Sequence, residues 1–182
     1  PSTFCAVLGS GLNNLLLIVN YASLTPMLWC TMESTVTYRV LLLEDNASIL
    51  KLLTELFQDR GYEVLGFSSP VICPLQMTPE CRCVANQRCT DIIISDLQMP
   101  AMTGLTFIEN QRKKNCKCQH VALISAHWAD EDLALAHHLK CKTFTKPFFF
   151  QELNTWLDEV EATIEPTREL CNWVQEKASL SK

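Results

Sequence analysis

Five polar residues stand at the carboxyl ends of four apolar runs: Glu44 and Asp45 after Val-Leu-Leu-Leu, Asp96 after Ile-Ile-Ile-Ser, Ser125 after Val-Ala-Leu-Ile, and Lys146 after Thr-Phe-Thr. Each run has the length and composition of a short buried strand. Open α/β sheets bind ligands at the carboxyl ends of their strands. Three carboxylates gathered there repel one another unless a hard cation and the Lys146 ammonium offset them. Such a constellation suits Mg²⁺-dependent phosphoryl transfer to a carboxylate.

The elements that must position these residues alternate. Strands are expected at residues 38–43, 63–67, 91–95, 121–124 and 142–145. Residues 47–60 carry Ile49, Leu50, Leu52, Leu53, Leu56 and Phe57 at helical spacing, with Asn46 as N-cap and Gly61 as the stop. Further helices are expected over 104–114, 130–139 and 151–164, the last with Leu153, Trp156, Leu157 and Val160 facing inward. Strand–helix alternation predicts an α/β fold with a parallel sheet and helices on both faces. Residues 68–90 break the pattern: they hold three prolines and four cysteines where a second helix belongs.

The motifs Val40-Leu-Leu-Leu-Glu-Asp-Asn46, Asp91-Ile-Ile-Ile-Ser-Asp-Leu-Gln-Met-Pro100, Gly104, Leu123-Ile-Ser-Ala126 and Lys146-Pro-Phe148 occur in order at compatible spacing. Together they resemble the receiver domain of two-component response regulators, over roughly residues 37–164. The resemblance implies a flavodoxin-like, doubly wound five-stranded parallel sheet of order 2-1-3-4-5. It also implies a role for each matching residue. Asp96 is the phosphoacceptor, attacking a phosphohistidine of a partner histidine kinase. Mg²⁺ is held by Asp45, Asp96 and the backbone carbonyl of Gln98, with waters oriented by Glu44. Lys146 pairs with Asp96, and Ser125 donates to the phosphoryl group after transfer. A bacterial, cytoplasmic, non-enzymatic signalling protein is expected. Its output would pass to a downstream protein or a histidine phosphotransfer domain, or through a homodimer built on the fourth helix, fifth strand and fifth helix. With only about twenty residues after the receiver, too few for an independent fold, a stand-alone regulator is expected.

Two departures from the family pattern stand out. The aromatic switch residue belongs three residues before the lysine, where this chain has Thr143; Phe144 follows it and should point to the other face of its strand. Gln98 and His127 occupy the positions that govern water access to the acyl phosphate.

Ten cysteines are unusual for 182 residues. Cys73, Cys81, Cys83, Cys89, Cys116, Cys118 and Cys141 all precede the third, fourth or fifth strand. In a parallel sheet those loops share the end opposite the carboxylates. A soft-metal site for Zn²⁺ or an iron–sulfur centre, drawn from Cys81, Cys83, Cys89, Cys116 and Cys118, is one reading. A redox-sensitive dithiol and a set of buried free thiols are the others. The C-x-C pairs lack the spacing of the common zinc signature. Cys5, Cys30 and Cys171 are expected to lie apart. The alternative function is thus a cysteine-based metal or redox sensor on a receiver scaffold. A flavodoxin-like cofactor binder is disfavoured, because Glu44 and Asp45 would repel a phosphate after the first strand.

The net charge of −5 gives no footprint for nucleic acid. Residues 1–32 contain no Asp, Glu, Lys or Arg, and their longest apolar run is Leu15 to Val19. That is far short of the ~18 residues of a membrane span. Residues 1–36 read as a poorly ordered or non-native leader with Met32 as a natural start, against a membrane anchor or a packed helix. Residues 165–182 read as a tail with one further short helix or a frayed end. His137, His138, Lys113, Lys114 and Lys117 read as surface residues, and Phe148 to Phe150 as packing residues.

Overall fold

The computed structural model describes residues 37–174. The leader with Cys5 and Cys30, and the last eight positions of the tail, lie outside the described residues. Five parallel strands form the central sheet: β1 (Arg39–Leu43), β2 (Glu63–Phe67), β4 (Ile92–Asp96), β5 (His120–Ser125) and β6 (Lys142–Thr145), in the order β2-β1-β4-β5-β6. This is the expected 2-1-3-4-5 order. The shift in numbering comes from β3 (Gln87–Arg88), a two-residue strand that pairs in parallel with β7 (Glu169–Leu170).

The period-two alternation of the strands divides the core. Val40, Leu42, Ile92, Ile94, Ile124 and Phe144 face α1 (Ala47–Asp59) and α5 (Phe150–Glu161), meeting Leu53, Phe57, Leu153 and Leu157. Leu41, Leu43, Ile93, Val121 and Leu123 face the opposite layer, which includes α3 (Gly104–Lys113) and α4 (Asp130–His138). Asn46 caps α1 as its side chain predicts, accepting from the amides of Ser48 and Ile49. Gly61, at φ +87, takes the left-handed turn that ends the segment.

The Pro- and Cys-rich segment keeps a remnant of the second helix. A 3-10 turn at Pro70–Ile72 leads into the four-residue α2 (Pro74–Met77). Its last carbonyls need partners, and Lys114 supplies them: its ammonium donates to Leu75 O at 3.1 Å and Gln76 O at 2.7 Å. Lys114 is therefore a capping residue rather than part of a solvated face. The described part of the tail is ordered, with helix starting at residues 173–174. Residues 165–174 pass through β7 and lie against the insertion. They are held by Arg168, whose guanidinium makes a two-pronged contact with buried Asp91 at 2.8 and 2.7 Å and also reaches Thr37 O at 2.8 Å. No helix among the described residues is long and apolar enough to cross a membrane.

Candidate functional site

The carboxyl ends of β1, β4, β5 and β6 bring the polar residues together. Glu44 directly follows β1, and its amide extends the pairing to Phe67 O at 3.2 Å. Since α1 starts at Ala47 with Asn46 as its cap, only Glu44 and Asp45 separate strand from cap. Asp96 closes β4. Beyond it, Leu97 N donates to Ile124 O at 2.8 Å and Gly104 N returns to Leu97 O at 2.9 Å. This tight return needs glycine: a Cβ at Gly104 would lie 2.3 Å from Asp96 O and 2.7 Å from Ser95 Oγ. The start of α3 thereby presses against the backbone of the acidic residue. Lys146 follows β6, its amide anchored on Ser125 O at 2.7 Å.

Carboxylate oxygens of Glu44, Asp45 and Asp96 all lie within 4.8 Å of one another. The Lys146 ammonium joins two of them, at 2.8 Å to Asp96 Oδ1 and 3.0 Å to Glu44 Oε2. Glu44 and Asp96 are buried, and Asp45 is exposed. Burial pushes the Glu44 carboxyl above its ordinary range, although the hydrogen bond from Lys146 opposes this. Burial works against the charged lysine, but its bonds to Asp96 and Glu44 outweigh burial and hold the ammonium above its usual value. One cation against three carboxylates leaves a deficit of positive charge at a site rich in hard oxygen donors. A small hard divalent ion fits that donor set.

The remaining expected residues surround this group. Ser125 is buried at the end of β5, its hydroxyl turned to its own loop: it donates to His127 O and accepts from His127 N at 3.2 Å. Gln98 and His127 are exposed. Thr143 pairs with Leu123 and is half-buried, whereas Phe144 points to the α1/α5 layer, packed on Phe148 and Trp156 with centroids 5.7 and 5.9 Å away.

The family model of the response regulator receiver domain matches residues 40–158, which span every one of these carboxylate-site positions. The chain belongs to that family. Among solved structures, the receiver resembles the chemotaxis response regulator CheY4 of Vibrio cholerae, with 25% identity, a TM-score of 0.55, and coverage of 68% of this chain and 98% of that one. The non-phosphorylated HemR receiver domain of Leptospira biflexa shares the fold at 21% identity, with a TM-score of 0.58 over 71% of this chain and 98% of that one. Among curated proteins, a protein-glutamate methylesterase/protein-glutamine glutaminase of Xanthomonas oryzae pv. oryzae is 33% identical over 81 residues, covering 44% of this chain. The match spans only 20% of that relative's length.

The receiver carries a second constellation at the opposite end of the sheet. Thiols of Cys81, Cys83 and Cys89 lie within 4.8 Å of one another. Cys83 Sγ is 3.0 Å from Cys89 Sγ and 3.8 Å from Cys171 Sγ. Cys171 thus lies beside the group from which its distant sequence position seemed to separate it. Cys116 is within hydrogen-bond reach of Cys81. Cys118 is turned away, towards Asp91 O at 3.3 Å and His120 O at 3.5 Å. Cys73 and Cys141 make no contact with the group among the described hydrogen bonds; burial pushes their thiols up to about 12 and about 11. Within the group, hydrogen bonds from Cys83 and Cys89, with a smaller pull from Arg39, bring Cys171 down to about 3, while Cys83 is pushed up to about 12 by its bond to Cys171. No local sequence signal marks Cys171; it joins the group because it directly follows β7, which pairs with β3 just before Cys89.

Proposed function

We propose that this receiver accepts a phosphoryl group on Asp96 from a phosphohistidine of a partner kinase, in a Mg²⁺-dependent reaction. The observation that carries the reading is the group of three carboxylates within 4.8 Å, with Lys146 bonded to both Glu44 and Asp96. Asp45, Asp96 and the Gln98 carbonyl would hold the ion, and Glu44 would orient its waters. When bound, Mg²⁺ offsets the carboxylates and draws negative charge from the phosphoryl oxygens.

An Asp96 oxygen attacks phosphorus in line with the departing imidazole nitrogen. The O–P bond forms as the N–P bond breaks, and the imidazole takes up a proton as it leaves. The product is an acyl phosphate. Lys146 is placed to exchange its bond to Asp96 Oδ1 for one to a phosphoryl oxygen, so charge is stabilised without a new group having to arrive. Ser125 would release His127 O and donate to another phosphoryl oxygen. That rotation pulls on the β5–α4 loop and biases the face built from α4, β6 and α5. Phe149 is 77% exposed and Leu133 40% exposed there, apolar surface suited to a downstream protein, a histidine phosphotransfer domain or a second copy.

Intact mass of the full chain, with and without acetyl phosphate and Mg²⁺, tests the reading. One phosphoryl adduct that needs Mg²⁺ and is lost in Asp96→Ala is the expected result. No adduct at any Mg²⁺ concentration overturns it.

A further inference from the structure

We infer that Cys81, Cys83, Cys89 and Cys171 form a tetrathiolate site for one soft divalent cation, with Zn²⁺ the natural probe, which clamps the C-terminal segment onto the Cys-rich insertion. This inference is independent of phosphoryl transfer at Asp96.

The argument begins with convergence. A disulfide accounts for two thiols, whereas here three lie within 4.8 Å of one another and a fourth is 3.8 Å from Cys83. In a tetrahedral centre with Zn–S bonds of ~2.3 Å, neighbouring sulfurs stand ~3.8 Å apart. The Cys83–Cys171 separation has that value; Cys83–Cys89, at 3.0 Å, is beyond a disulfide bond of about 2.05 Å but shorter than the tetrahedral spacing, so these two sulfurs must move apart to take the ion.

The backbone is arranged to bring two of the ligands side by side. Gln87 pairs with Glu169 and Arg88 with Leu170, so Cys89 and Cys171 are the next residues along two parallel strands. Cys171 N donates to Arg88 O at 2.9 Å. A parallel pair of two residues has little stability of its own, since isolated two-stranded pairs are marginal in water. Residues 78–86, which carry Cys81 and Cys83, contain no helix or strand. Yet Cys83, Cys89 and Cys171 are all buried. A metal cross-link supplies the cohesion that the regular structure there lacks.

The charge environment fits the same ligand. A divalent ion with four thiolates carries a net charge of −2, which needs nearby positive charge. Arg39, 2% exposed, points Nη1 at the carbonyls of Cys89, at 3.0 Å, and Cys171, at 2.7 Å. One guanidinium therefore fixes the backbone of two ligands, and its charge is shared between them and Glu63, which its Nε meets at 2.9 Å. Cys118, engaged with backbone carbonyls, is outside the ligand set. Cys116 borders Cys81 and is not needed to complete four ligands.

The test uses the full chain purified anaerobically in reductant, given Zn²⁺ and then passed through a weak chelator. Elemental analysis should find about one zinc per chain in the wild type and in Cys141→Ser, and none in Cys83→Ser or Cys171→Ser. Cobalt substitution guards against variants that merely unfold. Wild-type protein loaded with Co²⁺ should show the intense thiolate charge-transfer and ligand-field bands of a tetrahedral tetrathiolate site. Three results would overturn the inference: a wild-type chain that retains no metal, an iron–sulfur chromophore, or a mass two hydrogens short that marks a disulfide within the group.

Discussion

Lys146 Nζ lies 2.8 Å from Asp96 Oδ1 although their strands are not neighbours: β5 runs between β4 and β6, and the lysine reaches across its end. The backbone makes this reach reproducible, because Lys146 N is fixed to Ser125 O at 2.7 Å. Removing the ammonium leaves two buried carboxylates facing each other. Lys146→Met should lower stability by about 2 kcal/mol in the absence of Mg²⁺, the scale of a hydrogen bond to a charged group, and should slow phosphorylation sharply. The folded state raises the lysine's pKa, so its contribution is complete below the unfolded value of about 10.4 and is lost as pH rises through the higher folded value. Melting temperatures between neutral and alkaline pH check this: the wild type should lose its advantage over the variant at the alkaline end.

Glu44 shows the opposite balance. Burial raises its carboxyl pKa, so the native state keeps this proton to higher pH than the unfolded chain does. Stability therefore falls as pH rises from the unfolded value through the folded one, and the cost is in full force once Glu44 is ionised. Glu44→Gln should melt no lower than wild type at neutral pH without Mg²⁺. It should bind Mg²⁺ roughly tenfold more weakly, the usual scale for losing a group that orients a metal's waters. Thermal scans with and without Mg²⁺ test both halves, and a variant with a full Mg²⁺-induced rise would contradict the role assigned to Glu44.

Gly104→Ala probes the scaffold behind Asp96. The added methyl would stand 2.3 Å from Asp96 O, a backbone atom that cannot rotate away. The α3 start must shift, at a cost of about 1–3 kcal/mol. Because the displaced atom belongs to the proposed phosphoacceptor, the phosphorylation rate should fall further than the loss of stability explains. Rates measured well below the melting temperature separate the two effects.

The carboxylate end was legible in the sequence for a physical reason. Each of its residues closes or closely follows a strand, and a parallel sheet of this order brings those strand ends together. The alternation that assigned Phe144 to the opposite face from Thr143 rests on the same regularity. The other end was read only in part. Cys81, Cys83 and Cys89 announce themselves by number, but Cys171 and Arg168 are single residues in a tail without periodicity. Their placement depends on the two-residue pairing of β3 with β7 and on the ion pair with Asp91, more than seventy residues away. Neither short strand has enough alternation to be seen. Lys114 was missed similarly, since nothing local showed that α2 would be four residues long and in need of a cap.

Arg168 lies beyond the matched family segment, and its removal should be costly. Asp91 is fully buried, and its carboxylate accepts from Arg168 Nε and Nη2 and from Arg39 N at 2.9 Å. Arg168→Ala strands that charge, and breaking a buried pair in this way costs about 3–5 kcal/mol. Arg168→Lys should recover only part of the loss, because an ammonium cannot make the two-pronged contact. Urea denaturation of the three proteins gives the order; equal midpoints for wild type and Arg168→Ala would show that the pair contributes nothing.

The last prediction concerns how the phosphorylated state is read out. A rotating aromatic switch must be free to move between the interior and the α4–β6–α5 face. Phe144 is 4% exposed and held between Phe148 and Trp156 in the α1/α5 layer. Moving it would empty a core site, so Phe144 belongs to the packing and is unsuited to the switch. Thr143, on the other side of β6, is too short to fill an aromatic pocket. On the proposed mechanism the conformational change would then run through Ser125 and its bond to His127 O. Phe144→Ala should cost about 3–5 kcal/mol, as for other large-to-small core changes. The milder Phe144→Leu should leave phosphorylation-dependent changes in hydrogen exchange at the β5–α4 loop intact. Ser125→Ala should remove those changes with little loss of stability. If Phe144→Leu abolished them instead, the phenylalanine would be a moving part after all, and β6 would have to shift its register in the phosphorylated state.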